Sequence, residues 1–205
     1  MKTKFKHILV ILCLSMISCE GNLEPELFDQ ITPENFLTNE DDVKTAVTGV
    51  YAEFRGISEW GRYKTSWGSV MTLQEVPTDL WAANWFYKAH TDFMWKATDY
   101  FVCEIFEFFV PAITKATALI ARIQDAPVSD DIKNRYIAEL RVVRALWMYD
   151  LFDLYGPVPA ITDPEKILNP TQDFTVTRPS REEYITFVET ELKEVINAKI
   201  LPVAW

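Results

Sequence analysis

An all-α fold is predicted for this chain of 205 residues on three observations. Apolar side chains recur at the i, i+3, i+4, i+7 spacing of one buried helix face in four separate stretches. Alternating apolar and polar residues, the mark of a half-buried strand, are nearly absent. Residues suited to helix starts and stops stand at the ends of those stretches. The helices are joined by loops long enough to carry function.

The first eighteen residues are set apart from the fold. Lys2, Lys4 and Lys6 precede "ILVILCLSMI", an apolar run from Ile8 to Ile17 broken only by Ser15. It is too short to cross about 30 Å of hydrocarbon and has the order of a secretory signal. Ser18 followed by Cys19 resembles the bacterial lipoprotein box, with Met16 where that box usually has Leu. Residues 1–18 therefore read as a lipoprotein signal peptide, and Cys19 as the acylated first residue of the mature chain. Several acyl chains on one terminus suffice for stable anchoring. Cys13 leaves with the signal and Cys19 carries lipid, so only Cys103 remains and no intramolecular disulfide can form. Within "YFVCEIFEFFV" Cys103 is expected to be a buried small hydrophobe.

Residues 19–37 read as an extended leader, with Pro25 and Pro33 opposing helix. A first helix is predicted over 40–55, burying Val43, Ala46, Val47, Val50, Tyr51 and Phe54. Thr38 or Asn39 can cap it, Asp41 and Asp42 suit its positive end, and Gly56 can close it. Residues 57–92 hold Trp60, Trp67, Trp81 and Trp85 with no sustained period, and read as short helical pieces and loops. A second long helix is predicted over 99–123, with Pro111 a kink or a fresh start and Phe109, Ile113, Ala116, Ile120 and Ile123 on its later buried face. A third is predicted over 132–154 after the capping Ser129, burying Ile132, Tyr136, Leu140, Val143, Trp147 and Leu151. The last opens on a capping box of Ser180 and Glu183 and repeats the helical period through Tyr184, Phe187, Val188, Leu192, Val195 and Ile196.

Composition narrows the function. A hydrophobic fraction of 49% with only 6 glycines describes a chain that folds, and the net charge of -10 argues against nucleic acid as a partner. After removal of His7 with the signal, His90 is the one remaining histidine; it reads as a surface or packing residue, and no Cys/His cluster offers a metal site. No nucleophile elbow, phosphate-cradling loop or zinc-protease motif is present. Glu75 and Asp79 could in principle form a glycosidase pair, though solvated acids are the simpler reading. Neither a catalytic residue nor a cofactor is expected.

"ELRVVRALWMYDLFDLYGPVPA", residues 139–160, resembles the signature helix and turn of the RagB/SusD family of surface lipoproteins, through Glu139, Arg144, Ala145, Trp147, Tyr149, Tyr155, Gly156, Val158 and Pro159. "TNEDDVKTAVTGVYAEFR" is similar to that family's first helix through Ala46, Gly49 and Tyr51, and "RPSREEYITFVETELKEVINAKILP" to a later one. "ITKATALIARI" matches a further helix, with Thr117 where the family usually has Asn. Arg144 is expected to face a neighbouring helix or carbonyl, in a structural role.

The resemblance implies a tetratricopeptide-like scaffold of antiparallel helix pairs, covering 38–205 as the truncated N-terminal helical domain of a longer family pattern. It implies an outer-membrane, cell-surface lipoprotein, tethered by lipid, that binds oligosaccharide or another nutrient and passes it to a SusC-like TonB-dependent transporter. No catalysis is implied. Family members bind sugars on aromatic platforms, so Trp81 and Asn84, three apart in "DLWAANW", are the leading ligand candidates, with Trp85 and Trp60 behind them. Trp95 and Trp147 read as scaffold. Two other readings stay open: a helical-repeat scaffold lipoprotein that binds protein, and a glycoside hydrolase. The chain stops at "LPVAW", just after a helix that should pack on another, so it reads as a truncated gene or a fragment; were it complete, apolar helix faces would be left uncovered.

Overall fold

The computed structural model describes residues 36–54, 70–81, 87–168 and 175–202. The signal peptide, Cys19, most of the leader, Gly56, Trp60, Trp67, Asn84 and Trp85 lie outside the described residues. From Leu37 onward the chain forms one compact unit. Its described regular elements are seven helices: α1 (Glu40–Ala52), α2 (Val70–Glu75), α3 (Lys88–Thr91), α4 (Tyr100–Asp125), α5 (Asp130–Tyr155), α6 (Pro164–Leu168) and α7 (Arg181–Ala198).

Each long helix starts where its capping chemistry allows. Asn39 caps α1, its side chain accepting from the Asp42 amide at 3.1 Å, while Thr38 donates to Asp42 through both its amide and its hydroxyl. Those bonds hold the Asp42 carboxyl below its ordinary pKa, since they favour the charged form. Ser180 and Glu183 form the complete capping box of α7. Ser129 occupies the N-cap of α5 without a side-chain bond, leaving Asp130 and Asp131 to complement the dipole there. Pro111 neither breaks nor restarts α4, which runs through it unbroken. Its ring lies on the exposed side of the helix, where water can serve the carbonyl that loses an amide partner.

The short turn between α4 and α5 makes them an antiparallel pair, and α5 then serves as the central strut, packed against α1, α2, α4 and α7. Of the predicted α5 face, Tyr136, Leu140, Val143, Trp147 and Leu151 are buried. Trp147 is fully enclosed, with the Phe54 ring 5.0 Å and the Phe109 ring 6.1 Å away. The predicted α4 face is buried as well, from Phe109 to Ile123. On α7 the predicted face divides. Tyr184 and Val195 are buried, whereas Leu192 is 36% and Ile196 70% exposed. The helix turns 100° per residue, so 184, 187, 191 and 195 share one side and 192 and 196 fall on the next. Tyr51 is likewise more open than expected, its hydroxyl reaching Glu139 at 3.4 Å. Burial and the adjacent carboxylate raise that phenol to about 12.

A buried charge cluster ties three helices together. Arg144 on α5 is 4% exposed and donates to the Glu191 carboxylate of α7 through Nε at 3.1 Å and through Nη2. Its Nη1 donates to the Thr117 hydroxyl of α4 at 2.8 Å and to the Thr162 carbonyl at 3.4 Å. Thr117 in turn donates to the Ile113 carbonyl at 2.9 Å, so its hydroxyl is satisfied on both sides. Arg141 adds a bond to the other Glu191 oxygen at 2.8 Å and one to Glu194. The structural role expected for Arg144 is therefore what the geometry shows. Its acidic partner was not anticipated.

α5 ends at Gly156, whose φ of +73° and ψ of -160° lie in a region essentially open to glycine alone. Pro157 and Pro159 then prevent continuation.

Two stability predictions arise here. Arg144→Met should lower unfolding free energy by about 3–5 kcal/mol in urea denaturation, because it strips one buried charge of its main partner; adding Glu191→Leu should restore most of that loss. Gly156→Ala should cost about 1–3 kcal/mol through backbone strain alone, since a new Cβ meets nothing within 4 Å.

Candidate functional site

Between the first and second long helices the chain makes a run of short elements that leaves many apolar side chains outside. After α2, Thr78 closes a turn by donating its hydroxyl to the Glu75 carbonyl at 2.6 Å. Val76 is buried there with Leu73 and Tyr87. Beyond it Leu80 is 86% and Trp81 46% exposed. After α3 the chain passes Phe93, whose φ of +56° is left-handed, and the Met94 amide bonds back to the Ala89 carbonyl at 2.7 Å. Left-handed backbone at a non-glycine residue is strained, and a strained turn aims its side chains outward here. Phe93, Met94 and Trp95 are all exposed.

Beside this turn lies a cleft of about 330 Å3. Leu73 and Pro77 line it from the α2 side, and His90, Trp95 and Ala97 from the turn around α3. Val102 on α4 and Leu154 and Tyr155 on α5 complete it. His90 is buried, stacked on Trp95 at 6.1 Å with rings 15° apart and edge-on to Tyr87 at 6.4 Å. Tyr155 donates its hydroxyl to the Val102 carbonyl at 2.7 Å, which leaves that oxygen able to accept. Burial pulls the His90 imidazole below its ordinary value, with Asp99 pulling weakly the other way. Burial also pushes the Tyr155 phenol up. Both groups are thus neutral near pH 7.

Of the sequence candidates, only Trp81 falls within the described residues. It is exposed as a ligand platform requires, but it is not among the residues lining the cleft. Trp95, expected as scaffold, is 42% exposed and forms one wall; Trp147 is scaffold as expected. His90 is a packing residue. Cys103 is half-buried rather than buried, because its thiol turns to the Ala97 carbonyl at 3.0 Å. Glu75 and Asp79 are both exposed and neither lines the cleft. The clue that was missed is the density of "HTDFMW": apolar residues too closely spaced for one helix face must leave some outside.

A second, more apolar groove of about 350 Å3 runs between α5 and α7, lined by Tyr149, Phe152, Tyr184, Ile185, Val188 and Leu192 with Glu189 at its edge.

The described helices form an antiparallel helical scaffold with an aromatic cleft at one side, and among the described residues no helix is long and apolar enough to cross a membrane. No family model matches the chain. It is 25% identical over 203 aligned residues to a SusD-like protein of Formosa agariphila, covering 93% of this chain and 37% of that protein. The chain thus spans little more than a third of that curated relative. The crystal structure of a SusD-like protein from Bacteroides fragilis superposes with a TM-score of 0.63 at 22% identity, over 84% of this chain and 31% of its own. A second crystal structure superposes with a TM-score of 0.56 at 21% identity, over 79% of this chain and 30% of its own. In sequence the chain is similar to a SusD-like protein, and in fold to the part of such a structure's length that it covers.

His90 gives the cleft a pH signature. Its folded-state pKa is depressed, so the unfolded chain binds the proton more readily, and stability falls as pH drops through the ordinary value near 6.5. His90→Phe should flatten that part of the acid dependence in thermal melts between about pH 7.5 and 5.5.

Proposed function

We propose that the protein is a lipid-anchored outer-membrane binding protein that captures glycan or another nutrient at the cell surface and hands it to a SusC-like TonB-dependent transporter. The observation that carries this reading is the similarity to a SusD-like protein along 93% of the chain. Exposed aromatic side chains at Trp81, Phe93 and Trp95 support it, because a sugar presents an apolar C–H face that stacks on such rings. Cys19 is the acylated anchor in this reading, and Asn84, Trp85 and Trp60 remain ligand candidates beside Trp81. The protein acts by binding alone.

A second reading, a helical scaffold that docks another protein, draws on the apolar groove between α5 and α7. Hydrolysis draws on less, since Glu75 and Asp79 stand in solvent.

Isothermal titration of the full chain against a broad oligosaccharide panel should show binding that weakens about fivefold to tenfold in Trp81→Ala, the worth of one aromatic platform. Absence of binding across the panel would remove the carbohydrate reading, and release of shorter products would replace it with the hydrolase. Fatty-acid labelling that survives in Cys19→Ala would remove the anchor.

A further inference from the structure

We propose that the exposed stripe along α7 is a contact between two copies of this chain, packed antiparallel about a twofold axis. None of the stripe's residues lines the cleft beside Trp95, so this contact and glycan capture stand or fall separately. Glu182, Ile185, Glu189, Leu192, Ile196 and Lys199 follow one another at spacings of 3, 4, 3, 4 and 3, the rhythm that keeps side chains on one face of a helix. That face points away from the core. Ile196 is the most exposed large apolar side chain of α7, while Tyr184, Glu191 and Val195 on the adjoining side are buried. Glu182, Glu189 and Lys199 are exposed and Ile185 is half-buried. The apolar groove beside the stripe, with Tyr149 and Phe152 on its α5 wall, gives a second helix a seat.

The order of charges along the stripe names the occupant. In an antiparallel pair of identical helices, each residue opposes the one lying equally far beyond the twofold axis, so every contact occurs twice. An axis midway between Glu189 and Leu192 sets Ile185 against Ile196 of the second copy, and Glu182 against Lys199 of the second copy. Opposite charges then meet at both ends with apolar side chains between them, the pattern by which paired helices choose partner and direction. Parallel pairing would instead set Glu182 on Glu182 and Lys199 on Lys199. The antiparallel arrangement also brings the positive end of each helix beside the negative end of the other. Glu189, the acid nearest the axis, is bridged by Lys193 of its own helix at 2.5 Å, which lowers the cost of bringing it near a second copy. The 18 residues of α7 span about 27 Å, and a contact of that length makes an interface near the low end of stable ones, about 1,200 Å2. The pair should therefore exchange with monomer on the order of micromolar concentration.

Sedimentation velocity of the full chain between about 1 and 100 micromolar reads the pair directly, and should show monomer giving way to dimer across that range. Ile196→Glu should raise the dissociation constant at least about tenfold, because it presses two charges onto apolar side chains. Glu182→Lys and Lys199→Glu should each raise it about fivefold, since each creates two like-charge contacts. Both changes in one chain should bring it back to within about twofold of the unaltered protein, because the opposed charges again differ in sign. All these positions but Ile196 carry charge in water and Ile196 itself is 70% exposed, so the four variants should melt as the unaltered chain does. A chain still monomeric at about 100 micromolar, an association that ignores Ile196→Glu, or a doubly reversed chain as weak as either single one would overturn the second copy as occupant. Each of those results would leave glycan capture standing.

Discussion

The guanidinium of Arg144 is the point on which the helical stack depends. It sits inside α5 and reaches α7 through Glu191, α4 through Thr117 and the stretch before α6 through the Thr162 carbonyl. A buried cation is tolerable only when its donors are matched, and here one side chain sets the spacing of three neighbours to satisfy itself. The Phe187 ring, 5.4 Å from the guanidinium, closes the remaining face. Such a cluster adds little net stability over well-packed apolar residues of the same volume. What it adds is register: α7 can slide along α5 only by breaking bonds that are directional and dry.

That register reaches the candidate site through α5. The helix whose middle is pinned by Arg144 carries Leu154 and Tyr155 at its end, and Tyr155 clasps α4 by its bond to the Val102 carbonyl. Gly156 then turns the chain sharply away, so the end of α5 remains available to line a cleft rather than being overrun by more helix. The other wall comes from weaker material, short helices and a strained turn, whose exposed rings are held by stacking among themselves. One wall of the cleft thus comes from the ends of long helices and the other from short helices and a left-handed turn.

The long helices were legible because burial imposes a period on their sequences. Val43 and Val47, Phe109 to Ile123, and Tyr136 to Leu151 all lie where the spacing put them. Caps at Asn39 and Ser180 were legible because few residue types serve there. Glu191 was not, although it stands between Phe187 and Val195 on the packed face; an acid at a core position signals a buried basic partner, and Arg144 lay ready as one. Leu192 and Ile196 were misplaced because hydrophobicity was taken for burial, and an apolar residue can equally face outward. Trp95 is more open than a scaffold residue was expected to be. A tryptophan amid aromatics looks like core until the backbone at Phe93 is seen to turn left-handed, a local choice that composition does not encode.

Ionic strength treats the two classes of charge in this molecule differently. The pairs Lys88–Asp92 and Lys193–Glu189 stand in solvent, where dissolved ions screen them within a Debye length of about 8 Å at physiological strength. Arg144 and Glu191 are shielded by protein on every side, so dissolved ions do not reach between them. A change from dilute to saline surroundings therefore loosens the rim of the stack while the junction of α5 with α7 keeps its alignment. Salt tolerance is thereby placed at the seam that sets the architecture, and salt sensitivity at the edge.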